Sequence, residues 1–134
     1  MGAPQPDLRK WQRDLSVSYE KIGVVQSAQG DLNSAFSSYK QGLDIRQKLA
    51  ARDPANAQWK TDLVISLVKL ASMLEQQGTP RKREAGINYH RALEILQPLA
   101  AENRLTAEQK TWISLLEARL KVIIEETARG PNDN

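Results

Sequence analysis

Apolar residues recur near the start of the chain at the spacing of one face of an α-helix. Between residues 7 and 28 they follow one another in steps of three or four: Leu8, Trp11, Leu15, Tyr19, Ile22 and Val25. This is the period of an amphipathic helix whose apolar stripe packs against a core. The pattern therefore predicts a first helix over about residues 7–28, with this stripe facing inward.

Turn and capping residues divide the rest of the chain into four further predicted helices. Gly30 is placed to take the left-handed position after the first helix, and Asp31 to cap the second. The second helix is predicted to continue to about Ala51. Asp53-Pro54 then predicts the start of the third, because proline is well tolerated at the first helical position.

The same signals mark the last two helices. Gly78 predicts the end of the third helix, and Thr79-Pro80 repeats the combination of a cap and a proline for the fourth. Pro98 is expected to kink or end the fourth helix, since its ring clashes with the preceding turn. Residues 106–109 have the sequence of a capping box and predict a fifth helix to about Arg129.

The pattern occurs twice and begins a third time. Trp11 and Trp59 lie 48 residues apart, Trp112 follows 53 residues later, and each precedes a leucine by four residues. Five further positions match between the two units: Gly30 with Gly78, Ala35 with Ala85, Tyr39 with Tyr89, Gly42 with Ala92, and Leu43 with Leu93. A period of 20–50 residues is typical of helical solenoids, which act mainly by presenting a surface. We expect the three tryptophans to start equivalent helices, here termed A helices, each followed by a B helix.

The repeat predicts one domain over residues 7–129. Unit one covers 7–53, unit two covers 54–105, and a capping helix covers 106–129. Residues 1–6 are expected to be a disordered tail or a cloning remnant, and residues 130–134 a disordered tail. Because the chain opens in the middle of the pattern, we expect it to be a piece of a longer array.

Two helices per unit, a glycine turn and small residues at fixed offsets resemble the tetratricopeptide repeat (TPR) family, in a long-period form similar to kinesin-light-chain repeats. In unit one the resemblance is carried by Tyr19, Ile22-Gly23, Gly30, Ala35, Tyr39 and Gly42. In unit two it is carried by Leu67, Leu70-Ala71, Leu74, Gly78, Tyr89 and Ala92. Gln26 departs from the usual aromatic, an insertion shifts Ala85, and the final proline is displaced to Pro54. The resemblance covers residues 11–103 and implies an all-α, TPR-like α-solenoid of two helical hairpins plus a capping helix.

The resemblance places the binding surface on the concave side, where A-helix residues point away from the B helices. In this chain those residues are Val17, Glu20, Lys21, Val24 and Ser27 in unit one, and Ile65, Val68, Lys69, Ser72, Glu75 and Gln76 in unit two. Apolar positions flanked by Lys21 and Lys69 suit an amphipathic segment with acidic character. Glu20 and Val24 stand where relatives that clamp acidic tails carry lysine and asparagine, so that clamp is not expected. The alternative is a solvated helix face that binds nothing.

Small residues predict where helices approach most closely. Gly23 and Ala35 are expected at the crossing of the first two helices, with Ser38 exposed nearby.

The sequence offers little for catalysis or for cofactor or metal binding. The chain has 134 residues, 40% of them apolar, with a net charge of +3 and no cysteine. Thiolate metal sites and disulfides are therefore excluded, and a reducing cytoplasm is the expected compartment. His90 is the single histidine, and it is expected to be solvent-facing or locally satisfied. Asp14 and Asp62 recur in register, which favours pairing with a basic residue of an adjacent helix. No enzyme activity is predicted.

Nucleic acid and membranes are not expected partners. The cluster Arg81-Lys82-Arg83 falls in the inserted turn of unit two, where it is either a solvated turn or a site for an acidic or phosphate group. No aromatic residues are interleaved with it for base stacking. Apolar runs are too short to span a bilayer.

These observations predict a non-catalytic module that binds a peptide or helical segment of a partner protein. The alternative is a spacer or a self-association element of a longer array, and self-association would make the chain a homo-oligomer.

Overall fold

The structure is a computed structural model that describes residues 8–129. This part of the chain forms five α-helices and contains no strand: α1 (Leu8–Ala28), α2 (Leu32–Arg52), α3 (Ala57–Gln76), α4 (Thr79–Ala101) and α5 (Ala107–Arg129). α1 packs on α2 and α3 on α4, while α2–α3 and α4–α5 contacts join the pairs. The predicted all-α, repeat-like architecture of two hairpins and a fifth helix is confirmed. The proposed tails at residues 1–6 and 130–134 lie outside the described residues.

The turn between α1 and α2 forms as the sequence predicts. Gly30 has φ of 81°, the left-handed conformation that favours glycine. Its N–H donates to the carbonyl of Ser27 at 3.0 Å, and the N–H of Asp31 donates to that of Gln26 at 2.9 Å, which closes α1. The Asp31 carboxylate accepts the N–H of Ser34 at 3.2 Å and caps α2.

The capping box before α5 is also confirmed. The N–H of Thr106 donates to the Gln109 side chain at 2.9 Å, and the N–H of Gln109 donates to the Thr106 hydroxyl at 3.0 Å. Two N–H groups at the start of α5 are therefore satisfied locally.

The predicted start of α3 is wrong by three residues. Asn56 is its N-cap and accepts the N–H of Trp59 at 3.0 Å. Asp53 instead ends α2, since its own N–H donates to the carbonyl of Leu49 at 3.3 Å. Pro54 thus lies in the link between two helices.

The fourth helix also departs from its predicted ends. Its N-cap is Gly78, with φ of 98° and no side-chain cap, so Thr79 is already helical. Pro98 lies inside the helix, which continues to Ala101. Leu99, the residue after the proline, is 2% exposed, and its packing in the core favours continuation of the helix.

The core lies between the two hairpins and under α5. Its completely buried members are all leucine or alanine: Ala35, Leu67, Ala71, Leu74, Ala85, Ala92 and Leu96. Leu116 and Ile123 of α5 join this cluster, with Leu120 packed against it. Val122 and Ile124 face solvent.

Glycine permits the close approach of α1 and α2. A Cβ atom on Gly23 would lie 2.7 Å from the Tyr39 ring, and one on Gly42 would lie 3.2 Å from the carbonyl oxygen of Ser16. The expected close crossing at Gly23 is therefore present. Ser38, which we expected to be exposed, is buried and donates to the Gln26 side chain at 2.7 Å.

The inward-facing stripe predicted for α1 is mostly at the surface. Exposure is 61% for Leu8, 70% for Trp11, 49% for Leu15, 48% for Ile22 and 55% for Val25. The matching residues 48 positions later in α3 include Leu63, Leu70 and Met73, all of them buried. The difference arises because α2 covers this side of α3, whereas no helix of the described chain covers it on α1.

All three tryptophans lie in the first two turns of α1, α3 and α5. Trp59 faces the preceding A helix, where the Arg9 guanidinium lies 5.8 Å from its ring centre. Trp112 likewise meets α3, as described below.

Candidate functional site

Side-chain bonds hold the three A helices beside one another. Arg13 of α1 donates to Asp62 of α3 at 2.7 Å. The Lys69 ammonium of α3 lies 3.7 Å from the Glu20 carboxylate of α1. Arg119 of α5 pairs with Glu75 of α3, its Nε lying 2.8 Å from Oε1. We call the surface formed by α1, α3 and α5 the A-helix face.

An apolar cleft opens on the A-helix face between α3 and α5. Its volume is about 290 Å³, and its lining is Val64, Ile65, Val68, Lys69, Trp112, Leu115 and Leu116. Lys69 is the one charged residue in this lining. Leu115 is 66% exposed, so the rim of this α3–α5 cleft presents apolar surface to solvent.

The cleft brings together part of the predicted binding surface. Ile65, Val68 and Lys69 share it, as expected for an apolar anchor site beside a positive charge. The sequence did not predict the contribution of α5. Trp112 was identified only as a marker of the repeat, and Leu115 was not identified as a site residue. The signal in the sequence was Leu115 itself: it directly precedes the core residue Leu116, so the helical period turns it away from the core.

A second depression lies between α1 and α3. Its volume is about 360 Å³, and its lining is Val24, Ser27, Ala28, Tyr39, Lys69, Ser72, Met73 and Gln76. The predicted groove residues Val24 and Ser27 of α1 therefore lie together with Ser72 and Gln76 of α3, beside Lys69. The Lys69 side chain, 37% exposed, belongs to both cavities and links them into one surface.

The other predicted residues have different roles. Val17 is half-buried on α1, while Lys21 is exposed. The Glu20 carboxylate accepts from Arg46 at 3.0 Å in addition to meeting Lys69. Glu75 accepts the Tyr89 hydroxyl at 2.6 Å as well as Arg119. Both carboxylates are thus committed to bonds between helices.

Arg46 of α2 is a buried charge that the sequence analysis missed. It is 2% exposed and donates to the Ser16 hydroxyl at 3.0 Å and the Ser66 hydroxyl at 2.8 Å. It also donates to the Asp62 carbonyl at 3.2 Å and to Glu20. The guanidinium thereby ties α1, α2 and α3 together beneath the A-helix face.

The recurring aspartates behave differently in the two units. Asp62 is buried and pairs with Arg13, which confirms the predicted bond to an adjacent helix, and this bond raises the pKa of Arg13. Asp14 is exposed on α1. Its neighbour along the helix, Ser18, donates to its carbonyl oxygen at 3.1 Å.

The basic cluster lies in the first turns of α4, and not in an inserted turn as predicted. The Lys82 ammonium lies 2.6 Å from the Glu126 carboxylate of α5, and Arg81 lies 3.3 Å from Glu84. Carboxylates thus already compensate two of the three positive charges. His90 is exposed, with Nε2 2.7 Å from a Glu94 oxygen.

Residues 8–129 hold no cluster of three or more side chains suited to bind a metal ion. Among the five helices described, none is long and apolar enough to cross a membrane. No protein-family model matches the sequence, and neither a curated protein nor a solved structure does so.

Proposed function

We propose that this protein is a non-catalytic binding module that holds a peptide or helical segment of a partner protein on its A-helix face. The α3–α5 cleft is the observation that carries this proposal. It is apolar, open to solvent and bordered by a single cation. Exposed apolar surface of this kind, with a few polar groups at its edge, is typical of protein interaction sites.

The chemistry of the cleft indicates what the partner segment should contain. Val68, Trp112 and Leu115 suit one large apolar side chain as the anchor. Lys69 meets Glu20 at 3.7 Å, longer than a direct hydrogen bond, so a carboxylate of the ligand can compete for it. The preferred segment thus has an apolar anchor followed by an acidic residue that reaches the α1–α3 depression.

Two further elements of the proposal rest on the sequence. The doubled pattern of small and aromatic residues supports membership of the tetratricopeptide repeat class, whose concave surfaces bind peptides. The lack of cysteine fits a protein of the reducing cytoplasm.

Selection of peptides from a random display library on the folded chain tests the proposal. The Kd of the selected peptides is then compared between wild type and Val68→Ala, with Ile87→Ala as the control on α4. Truncation of a buried anchor typically costs more than about 1 kcal/mol of binding, so we expect at least about fivefold weaker binding for Val68→Ala. Ile87 is 58% exposed and outside the cleft, and its truncation should leave the Kd unchanged.

The Lys69→Gln variant tests the electrostatic part. A cation at the rim mainly changes the association rate and its salt dependence. We therefore expect Lys69→Gln to flatten the salt dependence of binding, and Lys40→Gln to leave it unchanged. Selected peptides that bind all four variants as tightly as wild type would place the binding surface elsewhere.

A further inference from the structure

Five exposed apolar residues of α1 form a continuous surface on the side of this helix away from α3. Ser18 fills the one gap in their helical spacing. We call the six residues together the α1 end stripe: Leu8, Trp11, Leu15, Ser18, Ile22 and Val25. Each of the five apolar members is at least 48% exposed. Contiguous exposed apolar surface of this extent is a mark of an interaction site.

The spacing of the stripe is that of a two-helix coiled coil. Successive members lie 3, 4, 3, 4 and 3 residues apart, which is the alternation of steps between the a and d positions of heptads. This series of spacings is the same whether it is counted from the N-terminal or the C-terminal end of α1. A second α1 running antiparallel therefore meets the first with every stripe position matched.

We propose that the α1 end stripe is a homodimer surface, on which two copies of the chain pair their α1 helices in antiparallel fashion about a two-fold axis. In such an interface each contact occurs twice. The register places Leu8 opposite Val25 of the second copy, Trp11 opposite Ile22, and Leu15 opposite Ser18. The small Ser18 leaves room for Leu15. A parallel pair would instead oppose Trp11 with Trp11 and Ser18 with Ser18.

Charge complementarity supports the antiparallel register. Asp14 and Lys21 are both exposed, seven residues apart, at the same flanking position of successive heptads. In the antiparallel pair, Asp14 of each copy faces Lys21 of the other. Two opposite-charge pairs thus border the apolar stripe, and this pattern fixes helix direction.

End-to-end stacking of copies fits the surface less well. The outer side of α5 carries exposed polar residues at helical spacing: Lys110, Ser114, Glu117 and Lys121. These four residues offer no apolar surface to cover Trp11 and Ile22, and Ile124 beside them is a single exposed apolar residue. A hairpin of another protein is the competing occupant, since Asp14 and Ser18 match the Asp62 and Ser66 that α2 and α1 contact in the folded chain.

Sedimentation equilibrium on the full chain tests the proposal. The mass should rise with concentration from 15.0 kDa toward twice that value. Ile22→Glu should weaken dimerisation by about 100-fold or more, because it places two carboxylates inside one apolar interface. The matched control is Ile124→Glu on α5, where the residue is 57% exposed and outside the stripe, and dimerisation should be unchanged. Far-ultraviolet circular dichroism checks that both variants fold.

Charge reversal tests the register. Asp14→Lys and Lys21→Asp should each weaken the dimer by roughly tenfold, since each creates two like-charge contacts, and the double variant should recover to within about threefold of wild type.

A chain that stays monomeric up to about 1 mM overturns the proposal, even if it binds a separate helical hairpin. A dimer that tolerates Ile22→Glu, or a double variant weaker than both single variants, overturns the interface or its register. Val68→Ala should not alter the mass, which separates this surface from the α3–α5 cleft.

Discussion

Single small residues determine how closely α1 and α2 pack. Gly23 leaves space for the Tyr39 ring, and Gly42 leaves space for the backbone at Ser16. Ala35 is fully buried in the core cluster next to these positions. A larger side chain at any of them requires either a shift of the backbone or a strained rotamer.

The substitution Ala35→Leu tests this at one position. We expect overpacking to lower the free energy of unfolding by roughly 1–3 kcal/mol. The matched control is Ser37→Leu, because Ser37 is exposed two residues further on, and its effect should stay within about 0.5 kcal/mol. Equal urea midpoints for the two variants would show that Ala35 tolerates a larger side chain.

At the scale of the elements, side chains beside each helix end decide where the helix begins. Asp31, Asn56 and Thr106 each accept a backbone N–H three residues ahead. Asp53 closes α2 through its backbone instead. An acidic residue before a proline is thus not sufficient to start a helix. At Asp53 the backbone N–H still bonds to the preceding helix, α2.

Alanine substitutions at Asn56 and Asp53 distinguish the two roles. Loss of an N-cap side chain costs about 0.5–2 kcal/mol, so Asn56→Ala should lower the unfolding free energy by this amount. Asp53→Ala keeps the backbone N–H that closes α2 and should have a smaller effect. Thermal denaturation of both variants measures the difference, and a larger loss for Asp53→Ala would restore Asp53 as the cap.

At the scale of the whole molecule, buried polar bonds complement the apolar core. Arg46 joins α1, α2 and α3, and its partners are satisfied: no buried side-chain nitrogen or oxygen within the described residues lacks a hydrogen bond. A buried charge whose hydrogen bonds are all satisfied fixes the relative positions of the helices that it joins, although its net contribution to the free energy of unfolding is small. Removing it leaves the partners unpaired.

We therefore expect Arg46→Met to be strongly destabilising. Breaking a buried ion pair by removing one partner costs about 3–5 kcal/mol, chiefly because Glu20 and the two serines lose their donor. Lys48→Met is the control, since its pair with Asp44 is exposed and worth at most about 1 kcal/mol. Urea denaturation compares the variants, and a loss of less than about 1 kcal/mol for Arg46→Met would contradict the role assigned to this residue.

Alkaline pH should also destabilise the molecule. Burial raises the pKa of Tyr39 and of Tyr89 above the ordinary value of 10.0. The folded chain then retains these protons where the unfolded chain loses them, so the contribution of the two tyrosines to stability is constant below about pH 10 and falls as the pH rises further. Tyr89→Phe removes one of the two groups and should reduce the slope of stability against pH above about pH 10. An unchanged slope would show that Tyr89 does not contribute.

Local signals account for what the sequence by itself determined about this protein. The five helices, their pairing and the caps at Asp31 and Thr106 follow from apolar spacing and from bonds that span three residues. The matched spacing of Trp11 and Trp59 likewise indicated two units. Such features need no knowledge of distant neighbours.

Tertiary structure alone decided which surfaces are buried and which are free. Leu15 and Leu63 occupy matching positions in the repeat, yet Leu15 is exposed and Leu63 is buried. α2 packs against both α1 and α3, but it covers this side of α3, whereas no helix of the described residues covers the same side of α1. The α3–α5 cleft depends on Leu115 meeting Val68, and the polar core on Arg46 reaching Ser16 and Ser66. Burial depends on neighbours that are far apart along the chain, and the helical period shows which side of a helix is apolar without showing what covers it.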